Sequence, residues 1–307
     1  MEGLLPVWKE RGMTSHDCVF KLRKILKTKK IGHSGTLDPD VDGLLPVAIG
    51  KATKVIEYMM DSEKIYTGEI TIGYSTTTED ASGEIVEQKA VGHDITEKDI
   101  DKVIALFTGV ISQTPPMYSA VKIDGKKLYE YAREGKVIDR PSRNVEIHSF
   151  LRTTKLRKNE ENGTLSFRFK VVCGKGTYVR TLAVDVGKKL GFPSHMSDLT
   201  REASSGFNRE EAFTLSEIQA LMKEDRIQEA LKPMERALGD FKQYHLSKDE
   251  YIKVKNGSLL LRKKYMLDED GTIVFYYDDL AVAIYKIHPS KTDYIKPVKV
   301  LRNELVV

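Results

Sequence analysis

Two periodicities run through the apolar positions of this chain, and together they predict its elements. Val19, Leu22 and Leu26 lie three and four apart, which predicts a helix over 15–27 with Ser15 as its N-cap. Its other faces and tail carry Lys21, Arg23, Lys24, Lys27, Lys29 and Lys30, cations that suit either the helix macrodipole or a phosphate. Over 64–74 the period falls to two, placing Tyr66, Ile70, Ile72 and Tyr74 on one side of a strand. Thr96 and Asp99 start a helix that turns Ile100, Val103, Ile104 and Phe107 inward and stops at Gly109. Leu165, Phe167, Phe169 and Val171 alternate with Ser166, Arg168 and Lys170, the pattern of a half-buried strand. That strand ends at Gly174-Lys175-Gly176. A helix then starts near Thr177, carries Leu182, Val186 and Leu190 inward, and closes on Gly191. Thr214 with Glu217 caps another helix to about Met222. Beyond residue 240 the segments 251–254, 272–277, 280–285 and 295–300 read as strands of a small, mostly β module, with Asp278-Asp279 closing a hairpin. The mixed order of strands and helices predicts an α+β fold with a central mixed or antiparallel sheet flanked by helices.

Composition adds boundaries to that picture. The 307 residues, 40% hydrophobic and 31% charged, describe a soluble globular protein long enough for two domains. A net charge of +4 and a pI near 8.7 permit nucleic-acid binding without requiring it. Cys18 and Cys173 are too few for a disulfide framework and indicate a reducing compartment. The first residues, Met1-Glu2-Gly3-Leu4-Leu5, lack the basic and long apolar regions of a secretory signal. No apolar run approaches the roughly 18 residues of a membrane span, so the cytoplasm is the expected location.

Candidate chemistry concentrates in residues 32–43, Gly-His-Ser-Gly-Thr-Leu-Asp-Pro-Asp-Val-Asp-Gly. Gly32 and Gly35 around Ser34, with a proline after Asp38, make a tight loop able to present that carboxylate. Asp38, Asp40, Asp42 and Gly43 copy the first half of an EF-hand loop, but Ile49 stands where its bidentate Glu belongs, which argues against calcium. Gly174-Lys175-Gly176-Thr177 invites a phosphate-loop reading, yet Phe169 and Gly176 occupy positions where that motif needs Gly and Ser or Thr. Cys173 with His33 lacks an orienting third group for thiol chemistry. No metal-ligand cluster is apparent in the sequence.

Four ordered segments resemble the TruB family of tRNA pseudouridine synthases, which isomerise the uridine at position 55 of the T arm. They are Gly32 to Pro39 with Gly43-Leu44-Leu45-Pro46 and Gly50-Lys51-Ala52-Thr53-Lys54; Pro115 to Lys122 running into Gly125 to Arg133; Gly174 to Leu182 with Asp185 and Gly187; and Leu199-Thr200-Arg201 with Gly206-Phe207. The likeness is continuous over roughly the first 210 residues. It implies a pseudouridine-synthase fold over 1–238 and a PUA-like, RNA-binding β module over 239–307. It also implies an RNA-clamping insertion over 113–143, where cations and tyrosines interleave. The resemblance makes Asp38 the catalytic carboxylate, needing neither cofactor nor metal. It further places Tyr66 against the flipped base, Arg180 on Asp38 as a fork that lowers its pKa, Tyr178 and Leu199 on the pocket wall, and His33 at the RNA. Lys54, Lys122, Lys126, Lys127, Arg133 and Arg143 are expected RNA contacts. The chain departs from the family pattern at Ser34, Asp40 and Asp42, and two extra carboxylates beside an RNA backbone would weaken binding. A monomer acting on tRNA without an obligate protein partner is expected. The rival readings are a non-catalytic tRNA-folding chaperone, a guide-RNA-dependent synthase, and a metal-dependent RNA-processing enzyme.

Overall fold

A computed structural model describes residues 1–92, 94–268 and 271–304. Its centre is a ten-stranded mixed sheet, largely antiparallel, whose main path runs Gly3–Lys9, Asp42–Ile49, Ser194–Ser204, Lys64–Ile72, Thr164–Cys173, Arg143–Arg152 and Gly109–Gln113. The Lys64–Ile72 strand is central because its alternation buries Tyr66, Ile70 and Ile72 on one face. Tyr74 does not share that strand: Gly73 turns the chain with φ +126°, and Tyr74 opens a separate short hairpin. The alternating apolar face of Thr164–Cys173 is buried as its pattern requires. The helix Val179–Leu190 follows it and ends on Gly191 at φ 82°.

Local polar chemistry redraws two elements. The first helix, Ser15–Ile25, is capped by Thr14 rather than Ser15, because Asp17 stands where it can close a capping box with Thr14. Ser15 instead turns inward, its hydroxyl accepting from the Leu37 amide at 2.9 Å. Segment 251–254, expected as a strand, lies in a helix, Lys248–Lys255, started by a capping box of Ser247 and Glu250. Tyr251 and Val254, three apart, are its buried face.

The rest of the C-terminal part is a five-stranded sheet. Asp278 and Asp279, at φ 47° and 60°, make the hairpin turn between Thr272–Tyr277 and Leu280–Ile287. Val274, Tyr276, Ala281 and Ile284 from this sheet, with Leu301 just past its last strand, pack with Leu4, Leu44, Ala48, Val55 and Leu238 in one apolar cluster. The two sheets therefore share a core. No helix among the described residues is long and apolar enough to cross a membrane.

Asp42 and Gly43 run parallel to Thr200 and Arg201. A Cβ on Gly43 would lie 2.4 Å from the Arg201 carbonyl oxygen, on backbone at φ +122°. Gly43→Ala is expected to cost about 3 kcal/mol and lower the melting temperature by roughly 5–10 °C, read by calorimetry. An unchanged transition would disprove this close strand approach.

Candidate active site

The loop bearing Asp38 is pinned from both sides. The Ser34 amide donates to the Pro46 carbonyl at 3.0 Å, and its hydroxyl meets that of Ser205 at 2.9 Å. Leu37 is buried and held by Ser15. Immediately after Asp38, the Pro39 carbonyl accepts from the Gly12 amide at 2.9 Å and the Lys9 ammonium at 3.2 Å. Lys9 is fully buried and also donates to the Met13 carbonyl at 2.7 Å. Burial lowers its pKa against the pull of nearby carboxylates. Arg201 is likewise fully buried, and its guanidinium donates to the carbonyls of Leu44 (2.8 Å), Gly35 (3.3 Å) and Thr36 (3.5 Å). Two buried cations thus hold the loop by its backbone. Neither role was read from the sequence, although Arg201 belongs to a motif that drew notice.

Asp38 faces a cleft of about 900 Å³ lined also by Tyr66, Tyr178, Arg180, Leu199 and Arg143. Arg180 is buried, and its Nε and Nη2 reach the two carboxylate oxygens of Asp38 at 3.0 and 3.4 Å. The same guanidinium donates to the carbonyls of Thr78 at 3.0 Å and Tyr118 at 2.8 Å, which fixes its plane. Asp80 lies 4.0 Å away and is the further carboxylate beside this pair. The Asp38 side chain is still 40% exposed to the cleft. Crowding by the wall nevertheless raises its carboxyl pKa, and Arg180 opposes that only in part. The fork thus pulls the pKa down as expected, but desolvation outweighs it and the net shift is upward.

Tyr66 lies on the central strand between Val171 and Arg201. Burial raises its pKa, so the phenol stays protonated at neutral pH and can donate a hydrogen bond. Leu199 faces Gly68 across the neighbouring strand pair, where the missing side chain leaves it room. Tyr178 is clamped through its backbone: its amide donates to Gln113 Oε1 at 2.7 Å and its carbonyl accepts from Gln113 Nε2 at 3.0 Å. Arg143 sits 5.2 Å from the centre of the Tyr178 ring and donates to the Gly176 carbonyl at 2.7 Å.

The remaining expected residues divide. His33 is half-buried with Nδ1 3.2 Å from the Gly35 carbonyl oxygen, its pKa lowered by burial, and it does not line the cleft. Lys122, Lys126, Lys127 and Arg133 lie on the insertion outside the cleft lining. Lys126 pairs with Glu134 and covers the Tyr131 ring, while Lys127 and Arg133 cover Tyr129. Lys54 is also outside the cleft lining, and its ammonium donates to the carbonyls of Val300 at 2.5 Å and Leu301 at 3.2 Å, tying the helical turn Gly50–Val55 to the end of the last strand. Asp42 accepts from Thr200 at 2.6 Å and Arg11 at 3.1 Å, so its charge is compensated within the protein. The Cys173 thiol is buried and its pKa pushed up to about 11, which leaves no thiolate nucleophile at neutral pH. Among the described residues, no group of three or more His, Cys, Asp or Glu could hold a metal ion.

Comparison with known proteins gives this arrangement a family. A family model described as TruB family pseudouridylate synthase (N terminal domain) matches residues 23–179. A second, described as tRNA pseudouridylate synthase B C-terminal domain, matches residues 180–239. The tRNA pseudouridine synthase B of Bacillus pumilus is 53% identical over 307 residues, covering 99% of each chain. That of Halalkalibacterium halodurans is 50% identical over 304 residues, again 99% of each. Among solved structures, a chain of a Cbf5–Nop10–Gar1 complex aligns with a TM-score of 0.72 and 26% identity, over 98% of this chain and 85% of that one. The loop, the strand-to-helix turn and the fork between them all fall within the matched residues, and the chain belongs to the TruB family of pseudouridine synthases.

Proposed function

We propose that this chain converts the uridine at position 55 in the T arm of tRNA to pseudouridine, as a cytoplasmic monomer needing no cofactor. The observation that carries this reading is a single carboxylate, Asp38, held by a buried Arg fork at the floor of a cleft large enough for a nucleotide. The reaction breaks the bond between uracil N1 and ribose C1′, turns the base, joins C5 to C1′, and moves a proton from C5 to N1. Nothing is oxidised or hydrolysed. A fixed carboxylate acting at the sugar suits this chemistry, and Arg180 keeps it aimed. The uridine must first leave its stack, at a cost of a few kcal/mol that stacking on an aromatic ring offsets. Tyr66, on the cleft wall and protonated, is the residue for that contact.

Residues 1–238 act in this reading as the catalytic unit and 239–307 as an RNA-contacting module. In support, Lys286 and Val298 of the second sheet line the same cleft as Asp38. Lys286 also stands directly opposite Lys296 across its strand pair, a like-charge pairing that a phosphate would relieve. The insertion over 113–143 closes on the T arm through Lys122, Lys126, Lys127 and Arg133.

Tritium release from an unmodified T-arm stem-loop labelled at uracil C5, in chelator and without added cofactor, tests the reading. Release to completion by the wild-type chain is expected. Binding without release would favour a chaperone or a guide-dependent role.

A further inference from the structure

We infer that Ser119 is a substrate-binding residue of this site, its hydroxyl taking up a polar edge of the uridine that enters beside Asp38. The inference rests on the pseudouridine-synthase reading. Among the described residues, four side chains hold a buried polar atom without a hydrogen-bond partner: Arg23, Ser119, His195 and Ser204. Of these, only Ser119 lines the cleft with Asp38. It is 6% exposed, so its hydroxyl has neither protein nor bulk water to satisfy it. Such a group costs free energy in the ligand-free fold and gains it back when a partner arrives.

The backbone around Ser119 is fixed on both flanks. The Tyr118 carbonyl accepts from Arg180 Nη2 at 2.8 Å, the Ser119 carbonyl from the Tyr129 amide at 3.1 Å, and the Val121 carbonyl from the Leu128 amide at 2.8 Å. One guanidinium therefore positions both Asp38 and the peptide that carries Ser119. The only freedom left to the hydroxyl is rotation about χ1, which is enough to re-aim it into the cleft. Its chemistry fits a base that must turn. Uracil offers carbonyl acceptors on some edges and N–H donors on others, and the edge facing any fixed point changes when attachment moves from N1 to C5. A hydroxyl both donates and accepts, so one serine serves both orientations. Ser34, Ser205 and Ser15, by contrast, spend their hydroxyls on the protein.

The test compares wild type, Ser119→Ala and Ser119→Thr. It reads single-turnover tritium release from the C5-labelled T-arm stem-loop, stem-loop affinity by filter binding, and thermal melting. Ser119→Ala is expected to slow release at subsaturating enzyme about tenfold, to weaken stem-loop affinity by up to a similar factor, and to melt no lower than wild type, since it removes an unpartnered buried hydroxyl. Ser119→Thr is expected to recover much of the rate. Release by Ser119→Ala at the wild-type rate would overturn the inference. So would a lowered melting temperature with no rescue by threonine, which marks a packing role. Silence from the wild type would overturn the functional reading itself and this inference with it.

Discussion

Replacing Asp38 by Asn is expected to end turnover, lowering single-turnover tritium release by at least about 10⁴-fold while leaving the stem-loop bound. The substitution nearly conserves shape. Every bond that pins the loop runs through other groups: the Ser15 hydroxyl to Leu37, the Lys9 ammonium to Pro39, and the Arg201 guanidinium to Gly35, Thr36 and Leu44. Arg180 keeps its two carbonyl partners. What is lost is the negative charge and the nucleophilic oxygen, so a fall in rate reports chemistry rather than collapse. Binding is expected to stay within a few-fold, because the substitution leaves untouched the insertion cations proposed above to meet the RNA. Filter binding and a thermal melt accompany the kinetic measurement. A variant within tenfold of wild type would remove Asp38 from the mechanism.

Local signals in this sequence were legible wherever one residue's neighbours decide its conformation. The capping box at Thr96 and Asp99, the αL glycine at 191 and the two-residue alternation of 165–171 all appear where their patterns place them. The displaced cap at Thr14 and the helix at Lys248–Lys255 were also written locally, in Asp17 and in the Ser247/Glu250 pair. There the competing signals were an adjacent serine and a β-branched run. The fork between Asp38 and Arg180 came from resemblance, not periodicity, since 142 residues separate the partners. The backbone-holding roles of Lys9, Gln113 and Arg201 are illegible in the sequence for a physical reason. Long polar side chains are ordinarily exposed, and only a folded register reveals that these three serve backbone groups far away in sequence. Lys54 stands in a family motif close to the Asp38 loop in sequence, yet its carbonyl partners, Val300 and Leu301, lie 246 and 247 residues onward, a contact no local pattern announces.

Arg180→Met should lower the turnover rate at neutral pH by about 10²–10³-fold, and the loss should depend on pH. The sign follows from the forces on Asp38. Burial pushes its pKa up, and the Arg180 charge is the largest influence holding it down. Without that charge the carboxyl pKa rises further, so at a given pH a smaller fraction is ionised. The acid limb of the pH–rate profile is therefore expected to move to higher pH. Part of the lost rate should return as pH increases, until the carboxylate is again fully ionised. The part that does not return measures aim, because methionine cannot make the paired contacts at 3.0 and 3.4 Å or hold the Thr78 and Tyr118 carbonyls. Arg180→Lys separates the two contributions. It keeps a positive charge near the carboxylate but not the planar fork, so its acid limb should stay close to wild type while its plateau falls. A methionine variant slowed equally at all pH values would show that Arg180 acts on geometry alone and leaves the ionisation of Asp38 to its other neighbours.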